Sequence, residues 1–139
     1  GAAVFASIGS GVAASVVSIF LMCQLMGLSH VNYVTLLPKS ITTAIGMGVS
    51  EEAGGIVTLT VMSIILTGVI GNVLGELVFR ITGVRHPIAR GLALGTSAHA
   101  IGTAKALELG EIEGAMSSLS IAVAGLMTVI AVPIAANLI

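Results

Sequence analysis

The stretch RHPIARGLALGTSAHAIGTAKALELGEIEG, Arg85 to Gly114, decides how the chain is read, because it sets Arg90, His99, Lys105 and Glu108 inside or against sequence apolar enough for a membrane. Ionisable groups in that setting are costly and by default functional. Gly91, Gly95, Ala98 and Gly102 recur at spacings of four, three and four, which on a helix draws a stripe of minimal side chains along one face and lets another backbone approach closely. Thr96, His99 and Thr103 recur on a neighbouring face with the same period. A close-packed, hydroxyl-lined and partly charged element is what a solute site in a membrane protein needs.

Composition sets the class. Of 139 residues, 56% are hydrophobic and 8% charged, against about 25% charged in an ordinary soluble domain, and the mean hydropathy is +1.16. The chain therefore reads as an integral, multi-pass membrane protein in contact with the lipid bilayer. Strands would need period-2 alternation and aromatic girdles, whereas these apolar runs are long and rich in Ala, Gly, Leu and Ile. The expected fold is all-α, a polytopic transmembrane helix bundle forming one membrane domain over 1–139. A net charge of −1 with five Lys and Arg cannot build the basic patch that a nucleic-acid partner requires. Three scattered His and the lone Cys23 do not make a metal site, and no cofactor is expected. No serine is singled out by a base and an orienting group, and no GxxxxGK[ST] loop occurs, so the chain is not read as an enzyme. Cys23, within an apolar run, reads as helix filler.

Gly1 to Leu28 carries no charge over 28 residues, longer than the roughly 20 a bilayer span requires. It reads as a transmembrane helix, since no basic segment precedes it and no cleavage pattern follows. A start at Gly1 without Met suggests a partial chain. Gly27 to Thr35 reads as a polar-leaning connector, with His30 and an interface-suited Tyr33. Pro38 is expected to open a helix from its own position, with Ser40, Thr42 and Thr43 in or near its first turns. Pro38 to Ser50 is 13 residues, about 20 Å of helix, too short for a core of about 30 Å. This is a half-helix, either one part of a broken span or a re-entrant segment. Further full spans are expected near Ile56 to Val78 and Ala115 to Asn137, with Pro87 opening the element between them. Gly68, Gly71 and Gly75 make one side of the former suitable for close packing.

Sliding the sequence by 56 residues sets TTAIGMGVSEEAGG over AHAIGTAKALELGE, matching Ile45-Gly46 to Ile101-Gly102, Glu52 to Glu108 and Gly54 to Gly110. Residues 40–55 and 96–111 thus read either as an internal repeat or as a chance match in a chain rich in Ala and Gly; as a repeat, they would be two interrupted helical elements in equivalent places, a pairing that points to a transport site. If both short elements cross, Lys39 and the Arg80 to Arg90 cluster share one side and Glu51, Glu52, Glu111 and Glu113 the other; if both re-enter, the signs mix. Lys and Arg set orientation more than Glu, so crossing is expected, with the arginines and the C-terminus cytoplasmic.

The candidate substrate-binding residues are Lys39, Ser40, Thr42, Thr43, Arg90, Thr96, Ser97, His99, Thr103 and Lys105. Arg80 and Arg85 read as orientation anchors, whereas Arg90 lies deeper and either anchors or faces a solute. Lys39 is an interfacial anchor or a buried cation, depending on where its helix begins. His99 either donates to a neighbouring carbonyl or binds a solute and relays a proton, as a group titrating near pH 6.5 can; its place in the membrane favours the second. The hydroxyls can bond back to the preceding turn, but beside helix interruptions they also suit an anion, helped by free amide groups and the helix dipole. Glu108, Glu111 and Glu113 are expected in a solvated turn, with Glu108 in reach of Lys105.

LLPKSITTAIG at 36–46 and HPIARGLALGTSAHAIGTAKALELGEIEGAMSSL at 86–119 closely resemble the signatures of LrgB/CidB-like membrane proteins, a family of antiholin-like regulators that includes the plastidial glycolate/glycerate translocator. The resemblance runs from about Gly27 to the C-terminus. Family members are longer, with further N-terminal helices. The sequence departs from the family pattern at Ala44, Ala100 and Lys105, where Pro, Gly and Arg are usual; Lys keeps the charge but loses a bidentate fork. The resemblance implies export or exchange of small carboxylates such as pyruvate, glycolate or glycerate, or else control of murein hydrolase export. It also implies a bacterial-type plasma membrane or a plastid inner envelope, and a homo-oligomer or an LrgA/CidA-like membrane partner.

Overall fold

Three charge-poor runs form the long helices, and short polar or proline-bearing segments form everything between them. In a computed structural model, which describes residues 1–138, the elements are α1 (Ala2–Met26), α2 (His30–Leu36), α3 (Thr43–Ala53), α4 (Val57–Thr82), α5 (Pro87–Leu109) and α6 (Glu111–Ala136). Among the described residues there is no strand. The protein is an all-α transmembrane bundle. Helices α1, α4 and α6, at 25, 26 and 26 residues, are long and apolar enough to cross a membrane. Gly27 and Gly83 end α1 and α4 in the left-handed region, at φ 65° and 75°, where a residue with a Cβ is strained.

The other elements are two helical hairpins. In the first, α2 and α3 flank a break at 37–42. The Thr60 hydroxyl of α4 donates to the Thr35 carbonyl at 2.8 Å and lies 2.6 Å from the Ser50 hydroxyl, so the two arms lie side by side. At the mouth, His30 and Ala53 line one cavity with Ala136 and Asn137. In the second hairpin the first arm of α5 descends along α4, with Leu94 against Gly75, Ala98 against Gly71 and His99 against Gly68. The second arm climbs back: Asn72 donates to the Ile101 carbonyl at 2.9 Å, Lys105 meets Glu76, and Ala106 joins Phe79 and Leu94 in one core cluster. His99 makes the turn with φ 46° and ψ −136°. Gly102 consequently packs on the Leu94 carbonyl, although eight residues of straight helix would separate them by about 12 Å.

These contacts orient the whole bundle. The N-terminal end of α1, both ends of α5, the end of α4 and the start of α6 share one side, the Arg85 side. The end of α1, the mouth of the first hairpin, the start of α4 and the end of α6 share the other, the Glu52 side. The first hairpin enters from the Glu52 side and the second from the Arg85 side.

Several expectations are corrected. Helix α5 does not cross: Arg85, Lys105, Glu111 and Glu113 lie on one side, because the positive-φ turn at His99 reverses the chain. The C-terminal end of α6 lies opposite the arginines. Pro38 does not open a helix; it sits in the break, and α3 begins at Thr43 with Thr42 as its N-cap. The stretch at 30–36 is helix rather than connector, started by Ser29, whose hydroxyl accepts from the Asn32 N–H at 3.3 Å. Tyr33 is fully buried, its hydroxyl donating to the Ala135 carbonyl at 2.7 Å, rather than lying at an interface. Glu111 and Glu113 occupy the first turn of α6, where carboxylates suit the helix dipole, and Glu113 is buried.

The core lies in three patches. Ile19, Cys23, Tyr33, Val34, Leu37, Val49 and Val132 pack on the Glu52 side. Ile8, Val12, Ile41, Leu92 and Ala124 join α1, the first tip, the first arm of α5 and α6, and Phe79, Leu94 and Ala106 pack on the Arg85 side.

Candidate solute site between the hairpin tips

The break at 37–42 carries Lys39 and Ser40 to the middle of α1, and the first arm of α5 brings Thr96 to the same place. The Lys39 ammonium donates to the Ser40 Oγ at 2.9 Å, and the Ser15 hydroxyl of α1 lies 3.3 Å from the same oxygen. Thr96 packs its methyl on Gly11, which a larger residue in α1 would prevent. Its Oγ1 is buried without a hydrogen-bond partner. An unpaired buried hydroxyl costs on the order of 1–3 kcal/mol, so the position calls for a ligand or water.

A cleft of about 620 Å³ joins these groups, lined by Ser7, Gly11, Ser15 and Ser18 of α1, Lys39 and Ser40 of the first tip, and Ala89, Ala93, Thr96 and Ser97 of α5. It runs inward from the Arg85 side, where Ser7 and Ala89 also line an outer pocket with His86. On the Glu52 side the path is shut by Tyr33, Leu37 and their cluster. Among the described residues no carboxylate pairs with Lys39; the ion pairs lie at Glu76, Arg80, Lys105 and Glu108.

Of the ten candidate residues, the fold gathers Lys39, Ser40, Thr96 and Ser97 around this cleft. Ser97 is already satisfied, donating to the Ala93 carbonyl at 2.6 Å. Thr42 and Thr43, half-buried at the start of α3, do not line it. The reversal at His99 disperses the other hydroxyl face. Thr96 turns to α1, the His99 Nε2 lies 2.8 Å from the Ile64 carbonyl of α4, and Thr103 meets Ser117 of α6 at 2.7 Å while donating to the His99 carbonyl. Arg90 donates to the Val84 carbonyl at 3.1 Å and lies over the Phe79 ring. Lys105 pairs with Glu76 at 2.9 Å and with Glu108 at 3.5 Å. The serine face of α1 went unread, although Ser7, Gly11, Ser15 and Ser18, at spacings of four, four and three, carry the helical period.

A mobile-anion site is the chemistry this arrangement suits: a cation with no fixed counter-charge among the described residues, an unpartnered Thr96 hydroxyl, and a path to one side. Fold and cleft together define a multi-pass helical membrane protein with two opposed hairpins meeting at a polar centre. The chain belongs to the LrgB-like family, whose sequence profile matches residues 1–138. It is similar to the holin-like protein CidB of Staphylococcus epidermidis, at 44% identity over 131 residues covering 94% of this chain and 57% of that protein. The antiholin-like protein LrgB of Bacillus cereus is 40% identical over 130 residues, covering 94% and 56%. The chain thus spans a little over half the length of these relatives. No solved structure matches it.

Proposed function

We propose that this chain carries the solute site of a secondary transporter or exporter of small carboxylates, of the pyruvate, glycolate or glycerate type, in a bacterial-type plasma membrane. One observation carries the reading: Lys39 faces a hydroxyl-lined cleft with no acidic partner among the described residues, beside a buried and unpaired Thr96 Oγ1. A cation held in low dielectric without a counter-charge is unfavourable, and an entering carboxylate would supply the charge while accepting from Lys39, Ser40 and Thr96. His99, Thr103, Arg90 and Lys105 then hold the second hairpin rather than touch solute, and Thr42 and Thr43 shape the start of α3. The bacterial relatives support the membrane assigned. Four of the five Lys and Arg, Arg80, Arg85, Arg90 and Lys105, belong to the Arg85 side, which favours a cytoplasmic position for it.

The second reading is a holin- or antiholin-like membrane regulator that moves no specific solute. The names of the relatives speak more directly for it, as holin-like and antiholin-like proteins. A homo-oligomer or an LrgA/CidA-like membrane partner would belong to this reading. Uptake and counterflow of labelled pyruvate and glycolate in liposomes containing the full-length protein separate the two. Saturable flux supports the transporter, and leakage of unrelated solutes supports a pore. No flux, with altered cell-wall hydrolysis on deletion, supports the regulator.

A further inference from the structure

The 56-residue offset extends well beyond the short motifs. It carries α1 onto α4, and Gly27 onto Gly83, whose N–H groups bond to the carbonyls of Cys23 and Phe79, themselves 56 apart. His30 falls on His86, and Gly54 and Gly110 each end a hairpin. Helices α1 and α4 run in opposite directions and the hairpins enter from opposite sides. Ser40 and Thr96 are equivalents under the same offset, and both line the one cleft.

We propose that residues 2–54 and 58–110 are inverted copies about a two-fold axis in the membrane plane passing between Ser40 and Thr96, and that the cleft is one of two symmetry-related states. This deepens, and rests on, the transport reading. Inverted repeats with discontinuous helices at the midplane are the architecture of alternating access. A solute on the axis keeps the same two hydroxyls in both states, while the two halves exchange conformations around it.

The copies are unequal here, as a single trapped state requires. The first tip is an open six-residue segment at 37–42, whereas the second turns at His99 alone. Exchanging the copies carries the rim residues Ser7 and Ala89 to Ser63 and Tyr33, and Gly11 and Leu92 to Thr67 and Leu36. The second state therefore opens on the Glu52 side past Ser63 and Leu36, and it requires Tyr33 to release the Ala135 carbonyl. Lys39 falls on Gly95, so a single cation serves both states.

The test uses the full-length protein in liposomes, in a Cys23→Ala background, with Ala89→Cys and Ser63→Cys as separate reporters for a membrane-impermeant maleimide. Tyr33→Phe removes the hydroxyl that holds the Glu52 side shut. It should raise labelling at Ser63→Cys and lower it at Ala89→Cys, so that the ratio of the two rises by about fivefold, the population change that loss of one hydrogen bond produces. Should Tyr33→Phe fail to fold, saturating pyruvate or glycolate on the Arg85 side should shift the two reporters in opposite directions without it. Saturable pyruvate or glycolate flux with no reciprocal change overturns alternation and leaves transport standing. Absence of saturable flux, with both reporters open at once, overturns both.

Discussion

Lys105 Nζ lies 2.9 Å from Glu76 Oε1, which ties the returning arm of the second hairpin to α4 across 29 residues of sequence. The Asn72 amide holds the same arm one turn deeper, at the Ile101 carbonyl. Together they keep the reversed arm alongside α4. Glu76→Gln and Lys105→Gln should each lower the melting temperature of the purified protein in detergent, and the double variant should lose less than the sum of the two, as partners in one interaction do. Strictly additive losses would mean that the pair holds nothing.

Thr96→Val keeps shape and removes the unpaired hydroxyl, and Ser40→Ala removes the oxygen shared by Lys39 and Ser15. Each should weaken transport affinity roughly ten- to hundred-fold, since a buried hydrogen bond to a charged group is worth on the order of 1.5–3 kcal/mol. Lys39→Met should abolish saturable uptake. Unchanged affinity in all three at normal membrane abundance would place the site elsewhere.

His99 occupies a backbone region that a side chain makes costly by about 1–3 kcal/mol, while its ring bonds to the Ile64 carbonyl. His99→Gly loses the bond and relieves the backbone; His99→Ala loses the bond and relieves nothing. The glycine variant should therefore be the more stable, the reverse of the usual order inside a helix. Thermal melting of the two proteins checks this. A pH profile of transport unchanged in His99→Gly would show a structural histidine; a lost pH dependence would make it a proton carrier.

Single cysteines at Arg85 and Glu111, in the Cys23→Ala background, should react with impermeant maleimide from the same face of sealed vesicles, and a cysteine at Glu51 from the opposite face. Opposite faces for Arg85 and Glu111 would restore a crossing α5.

Gly95 lies against Ser117 and Ser120 of α6, where a Cβ meets both, whereas Gly48 faces open space. Gly95→Leu should separate α5 from α6 and sharply lower membrane abundance, while Gly48→Leu should be tolerated. Comparable abundance of the two would remove close packing as the reason for the glycine stripe.

The three spans were legible because burial in lipid demands about 20 apolar residues in a row, and charge-free runs announce that directly. Gly71, Gly75, Gly91 and Gly95 were legible for a similar reason: minimal side chains at helical spacing have few uses other than close packing. The gathering of Lys39, Ser40 and Thr96 was only partly so. Their residue types and nearby breaks marked them, but Ser15 hid within an apolar span. Tyr33 was misplaced because an amphipathic ring suits an interface and a satisfied core position equally.

By itself the sequence determined a helical membrane protein with long spans, small-residue faces and polar breaks, since hydropathy and helical period are local properties of the chain. The tertiary structure alone decided that α5 turns back rather than crosses. That choice rests on the backbone geometry of one residue, His99, and on a 2.9 Å pairing of Glu76 with Lys105 between elements whose separate sequences do not specify it. With the reversal, Arg85 and Glu111 came to one side, and the two tips came within reach of each other at the centre of the bundle.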